Sequence, residues 1–134
     1  MPTIDVSAGL VFRDGRLLIT QRHADAHLGG LWEFPGGKLE PGEAFEDCLN
    51  RELREELGIE VAVGDLFETV EHHYPEKSVL LKFFVCRWLA HEPQALGCSD
   101  LAWVGREELS RYRFPAADAR LLARLQTAEH LWRL

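Results

Sequence analysis

Gly37-Lys38-Leu39-Glu40-Pro41-Gly42-Glu43 and, after seven intervening residues, Arg51-Glu52-Leu53-Arg54-Glu55-Glu56-Leu57-Gly58-Ile59 set the reading of this chain. Residues 43–57 predict a helix. Leu49, Leu53 and Leu57 recur every four positions and draw one apolar stripe. Gly58 stands where a left-handed residue closes a helix. Glu52, Glu55 and Glu56 are spaced i, i+3 and i+4, so they share one face of that helix. Like charges one turn apart destabilise an isolated helix by roughly 0.2–0.5 kcal/mol. All three acids also stand near the C-terminal end, where the helix dipole disfavours anions. Folding gives no reason for three carboxylates there. A bound cation would reverse both penalties, and clustered carboxylate oxygens suit a hard ion such as Mg²⁺ or Mn²⁺. Arg51, one turn before Glu55, is placed to orient it by a charge-assisted hydrogen bond. Glu43 stands at the predicted helix start, where the dipole favours an anion. Glycines 36, 37 and 42 allow a tight loop close to the acidic face. Taken alone, the helix also fits a solvated charged surface.

Working outward, residues 4–12 and 16–21 are apolar runs joined by Asp14-Gly15, a strong hairpin signal. A polar loop over 24–30 precedes a short strand at 31–34, stopped by Pro35-Gly36-Gly37. After the helix come two long strands, 60–73 and 79–89, with a turn at Tyr74-Pro75-Glu76, and a short strand at 101–104. Pro115 opens a second helix with Leu121, Leu122, Leu125 and Leu131 on its buried side. Strands, helix, strands, helix, with antiparallel hairpins present, predict an α+β fold in which a mixed β-sheet lies between helices.

The length of 134 residues suits one domain, 1–134, with one real core. A net charge of −7 argues against a broad surface for stable nucleic-acid binding, whereas metal-neutralised phosphates remain compatible with it. Cys48, Cys86 and Cys98 match no zinc pattern and read as free thiols of a cytoplasmic protein. Residues 1–5 carry no basic n-region or long apolar run, so no signal peptide or membrane span is expected. The adjacent His72 and His73 face opposite sides of a strand and do not chelate one metal; Trp88, Trp103 and Trp132 read as packing residues.

The wider spacing decides between a surface helix and a metal site. It resembles the Nudix box, G-x5-E-x7-R-E-U-x-E-E-x-G-U with U aliphatic. Gly37, Glu43, Arg51, Glu52, Leu53, Glu55, Glu56, Gly58 and Ile59 fill every position. At a given start, average residue usage would produce that set on the order of once in a billion. The chain is most similar to the MutT-type branch. The likeness runs through Gln21-Arg22, the loop up to His27, Trp32-Glu33-Phe34-Pro35-Gly36-Gly37-Lys38 and Phe114-Pro115-Ala116-Ala117-Asp118.

That resemblance implies the Nudix fold, an α/β/α sandwich, and a hydrolase in which water attacks phosphorus and NTP becomes NMP plus pyrophosphate. It implies Mg²⁺, which Mn²⁺ can replace, on Glu52, Glu55, Glu56 and the backbone of Gly37. Glu43 and Arg51 would support the helix face. Lys38 and Arg22, with Lys77 further off, would meet phosphate oxygens. Glu52 is the candidate acceptor for the water's proton. The family often places one more glutamate before the last short strand. Gly97 stands there in this chain, with Asp100 and Glu92 the nearest acids, which leaves a fourth ligand and the general base open.

For the base, an ionised Asp118 only accepts hydrogen bonds and suits the exocyclic amine of cytosine or adenine. A protonated Asp118 would donate to an oxidised purine. It also fits the start of a helix. Phe34 and Trp32 fit either base stacking or the core. The leading expectation is therefore a nucleotide-pool sanitising, DNA-repair type enzyme for 8-oxo-dGTP or dNTPs, monomeric or homodimeric. The alternatives are a CTP or modified dCTP pyrophosphohydrolase, a hydrolase of nucleotide sugars or dinucleotides, and a non-catalytic module that reads oxidised guanine.

Overall fold

The computed structural model describes residues 2–134. Strands β1 (Thr3–Arg13) and β2 (Arg16–Gln21) form the expected hairpin. They are followed by β3 (Trp32–Glu33), β4 (Gly36–Lys38), α1 (Phe45–Leu57), β5 (Glu60–His73), β6 (Ser78–Ala90), β7 (Asp100–Val104) and α2 (Ala119–Thr127). All strands join one sheet of order β3-β2-β1-β6-β5, with β4 added to β1 and β7 to β2. The β1–β6 pair is parallel and the others antiparallel, so the sheet is mixed.

Side-chain alternation along the central strands splits the core into two layers. Val11, Leu18, Phe84 and Cys86 point to one face and meet Leu49, Leu53 and Leu57 of α1. Leu10, Phe12, Leu17, Ile19 and Phe83 point to the other and meet Leu121 and Leu125 of α2, with Leu131 beyond it. This is the predicted mixed sheet between helices. The three α1 leucines are fully buried, and each contributes about 1.5–3 kcal/mol through its apolar area. Gly58 takes φ 69° and bonds its N–H to Arg54 O at 3.0 Å, which ends α1.

Three expectations change. Gly36 and Gly37 do not merely stop a strand: with Lys38 they form β4, paired to Ala8, Ser7 and Val6 of β1. The helix begins at Phe45, because Glu43 closes a turn onto Glu40 through both its N–H and its carboxylate. Its charge is therefore used before the helix rather than on the dipole. The second helix is shorter. A 3₁₀ turn (Ala116–Asp118) follows Pro115, and α2 stops at Thr127 because side chains take its last carbonyls. Thr127 Oγ1 bonds Arg124 O, Trp132 Nε1 bonds Leu125 O, and the Arg106 guanidinium bonds Gln126 O. Leu131 is then carried by a separate 3₁₀ turn, Glu129–Arg133.

Candidate active site

The antiparallel pair Ser7–Gly37 forms the floor of the site, and α1 lies across it. A Cβ on Gly37 would collide with the carboxylate of Glu52, so glycine is what allows that carboxylate to rest on the strand. Ser7, on the α1 side of the sheet by alternation with Val11, is fully buried and its hydroxyl has no partner. The site thus has an orphan polar group beneath a carboxylate.

Arg51 organises the helix face. Its Nε and Nη2 donate to the two oxygens of Glu43 at 2.8 and 2.9 Å, a bidentate pair. Its Nη1 donates to Glu52 at 3.0 Å and Glu55 at 3.3 Å, and Nη2 also reaches Lys38 O at 3.1 Å. The guanidinium therefore ties the pre-helix turn, β4 and two acids of the box together. It holds the Glu43 carboxyl down at about 2, and the Arg51 proton is held more firmly in return. Glu56 goes the other way. Burial, then the neighbouring Glu52, with which it shares a hydrogen bond, push its carboxyl up to about 8; Glu33 and Glu55 add to this. Glu52 and Glu56 are thus forced together with too much negative charge.

The expected metal set is only partly assembled. Among the described residues no three His, Cys, Asp or Glu side chains are placed to share one ion, since Glu55 turns toward Arg51 on the exposed side. The chemistry of the donors nevertheless fits a hard divalent cation. Carboxylates dominate, the raised Glu56 carboxyl marks crowded negative charge that a cation would balance, and Gly37 O, which accepts a long bond from Cys48 Sγ at 3.5 Å, lies at the same place.

Gly97 does not leave room for the missing glutamate. Its N–H bonds Glu56 O at 3.0 Å, and a Cβ would press on Glu56 Cγ at 2.9 Å. Of the two nearby acids, Glu92 pairs with Arg13 at 2.7 Å, and Asp100 accepts from Leu101 N at 2.8 Å.

Glu33 is the acid that the sequence reading left without a role. It acts on both Glu56 and Asp118, joining the helix face to the predicted base-reading residue. Alternation along Trp32-Glu33-Phe34 is the signal that sets it opposite two aromatics. Arg22 is held by Glu33 at 2.9 Å and by His27 O at 2.6 Å, at the border of this region. Asp118 is half-buried at the start of α2. Burial, then Glu33, raise its carboxyl to about 6, while His72 opposes them. His72, set aside as a metal ligand, is thus a neighbour of Asp118, and its Nε2 is buried without a partner.

Phe34 requires a correction. Its ring is 5% exposed, stacked on Phe114 at 5.1 Å and edge-on to Phe83 at 6.2 Å, so it is core and has no face free for a base. Lys77 stands apart in the β5–β6 turn, 5.8 Å from the Tyr74 ring. Its neighbour Ser78 pairs with Thr3, four positions along β1 from Ser7, or on the order of 13 Å. Two surface hollows of about 530 and 500 Å³ include none of the predicted residues.

A family model described as NUDIX domain matches residues 7–124. The chain is 40% identical over 127 residues to the CTP pyrophosphohydrolase of Escherichia coli (strain K12), covering 91% of this chain and 90% of that protein. It is 33% identical over 127 residues to the 8-oxo-dGTP diphosphatase of the same strain, covering 94% and 98%. The crystal structure of the MutT protein from Methanosarcina mazei Go1 matches with a TM-score of 0.81 and 26% identity, over 92% of this chain and 93% of that one. With the box filled at every position and laid on this sheet as described, the conclusion is that the chain belongs to the Nudix family, as a hydrolase of its MutT-type branch.

Proposed function

We propose that the chain acts as a single-domain, Mg²⁺-dependent pyrophosphohydrolase that converts a nucleoside triphosphate and water to the monophosphate and pyrophosphate, with preference for a base bearing an exocyclic amine, cytosine first. The observation that carries the base preference is the acceptor character around Asp118. Glu33 acts there on Asp118, and a carboxylate accepts from an amine. The likeness to a CTP pyrophosphohydrolase over nine-tenths of both chains supports the same order.

Glu52, Glu55, Glu56 and the Gly37 carbonyl would hold the ion. Bound there, a divalent cation would neutralise phosphate charge and make a bound water more acidic. Glu52, facing the β4 floor, is our candidate to accept the water's proton. Lys38 and Arg22 would bind phosphate oxygens, while Lys77 stands apart from them in the β5–β6 turn. Arg51 and Glu43 keep the helix face in register. Free thiols at Cys48, Cys86 and Cys98 support a cytoplasmic place. No helix among the described residues is long and apolar enough to cross a membrane. The net charge of −7 supports a small nucleotide rather than a nucleic acid as partner.

A second reading rests on the raised Asp118 carboxyl. With its protonation near 6, a fraction carries a proton and can donate to an oxidised purine. The 8-oxo-dGTP diphosphatase likeness favours it. The deciding experiment measures pyrophosphate release with Mg²⁺ from CTP, dCTP, 5-methyl-dCTP, ATP, GTP and 8-oxo-dGTP. We expect kcat/KM for a cytosine nucleotide to lead 8-oxo-dGTP by about tenfold or more, the size of one good base contact. A lead for 8-oxo-dGTP would establish the second reading in its place.

A further inference from the structure

Among the described residues Glu68 is the one buried charged side chain, 7% exposed. Its register partner on β6 is Phe83, and pairing runs unbroken from there to His73–Ser78. Glu68, Val70 and His72 therefore share the α2 face of β5. Across from Glu68, α2 presents two arginines one turn apart. Arg120 Nε lies 3.4 Å and Arg124 Nη1 3.3 Å from Glu68 Oε2; these are charge contacts, since that oxygen is buried without a hydrogen-bond partner. Arg124 also donates to Phe67 O at 2.6 Å and stacks on the Phe67 ring at 4.4 Å. A buried carboxylate is costly unless paired, and such pairs fix register more than they add stability.

What this pairing fixes is the start of α2. Residues 116, 117, 119 and 120 are exposed, and Asp118 has no side-chain capping bond. The first fully buried anchor of the helix is Leu121. The ion pairs therefore hold α2 to the same strand, β5, that carries His72 beside Asp118.

We propose that Glu68, with Arg120 and Arg124, is the positioning group for base selection: this clamp between β5 and α2 fixes where Asp118 stands opposite His72 and Glu33, and so sets which base the enzyme prefers. The inference rests on the reading that Asp118 faces the base. Glu68 itself lies on the α2 side of the sheet, away from the carboxylate face of α1.

The test compares Glu68→Gln, Asp118→Ala and the double variant, reading kcat and KM for CTP and 8-oxo-dGTP. The clamp predicts that Glu68→Gln raises KM for the preferred nucleotide about tenfold and leaves kcat within about twofold. It also predicts that the preference ratio falls by a similar factor, and that Glu68→Gln adds nothing once Asp118 is alanine. If Asp118→Ala moves the ratio while Glu68→Gln does not, or if the two effects multiply, the clamp is overturned and the base reading stands. If Asp118→Ala leaves the ratio unchanged, the base reading fails and takes the clamp with it. Should Glu68→Gln not fold, Glu68→Met, which buries no charge, and Arg124→Gln at the half-exposed end give the same comparison.

Discussion

Asp118 titrates in the range where enzymes are assayed, and the direction of its shift has a consequence for selectivity. An ordinary aspartate is ionised by pH 5; burial and Glu33 hold this one protonated up to about 6. Below that pH the side chain carries a proton and can donate; above it the side chain only accepts. Turnover of cytosine nucleotides relative to 8-oxo-dGTP should therefore rise between pH 5 and 7.5. Taking the ratio of the two kcat/KM values at each pH cancels the titration of groups common to both reactions. Asp118→Asn, which donates and accepts at any pH, should abolish that slope and shift preference toward the oxidised purine. The expected shift is about ten- to a hundredfold, the effect of one base-edge hydrogen-bond pair. A flat ratio in the parent protein, or an unchanged one in Asp118→Asn, would remove Asp118 from the base site. The sequence made this residue a candidate through its place after Phe114-Pro115. It did not disclose that Glu33 and His72 act on it through space, because that juxtaposition joins a loop strand, a hairpin and a helix start far apart in the chain.

At the scale of elements, α1 shows what was legible and what was not. Its leucine stripe and its glycine end follow from periodicity within one helix, and the structure reproduces them, whereas the acidic face is assembled only in part because Glu55 turns to Arg51. The Arg51–Glu55 contact was readable from the same periodicity. The bidentate Arg51–Glu43 pair was not, since it depends on the turn at residues 40–43 folding back beside the helix. Strand β4 was hidden likewise: two glycines carry no strand propensity, and only the unpaired edge of β1 makes them extend. Phe34 was ambiguous because a stretch as short as 31–34 does not reveal which of its faces is core. Arg51 is the joint between these parts, so Arg51→Lys is the informative change. Lysine keeps the charge but cannot fork onto Glu43 while also reaching Glu52 and Glu55. The apolar stripe is untouched, so the fold should persist with an unchanged far-UV spectrum. We expect kcat to fall about ten- to a hundredfold, as for other residues that orient metal-binding carboxylates, with KM nearly constant. Full activity in Arg51→Lys would mean that the helix face is set by packing alone.

The whole molecule carries the cost of the site in its stability, and the two shifted glutamates give that cost opposite signs. Glu43 titrates lower in the folded protein than an ordinary glutamate, at about 2, so its contribution is present above pH 4.5 and is lost as pH falls toward 2. Glu56 titrates higher, at about 8, so the stability tied to its proton is present below pH 4.5 and is lost as pH rises toward 8. Without metal, the protein should therefore be most stable near pH 5. Between pH 5 and 8 it should lose on the order of 2 kcal/mol once solvent screening of the half-exposed site is allowed for. For a domain of this size that is a fall in Tm of roughly 5–10 °C. The net charge of −7 also grows more repulsive with pH, so the assignment needs Glu56→Gln beside the parent. That variant removes the titrating group and should flatten the alkaline limb while leaving the acid limb as it was. Mg²⁺ competes with the Glu56 proton, so its stabilisation should be greater at pH 8 than at pH 6. Thermal melts in EDTA and in Mg²⁺ across pH 4–9 measure both effects together. Equal Mg²⁺ increments at pH 6 and 8, with the same alkaline limb in parent and Glu56→Gln, would show that the ion binds away from this carboxylate pair.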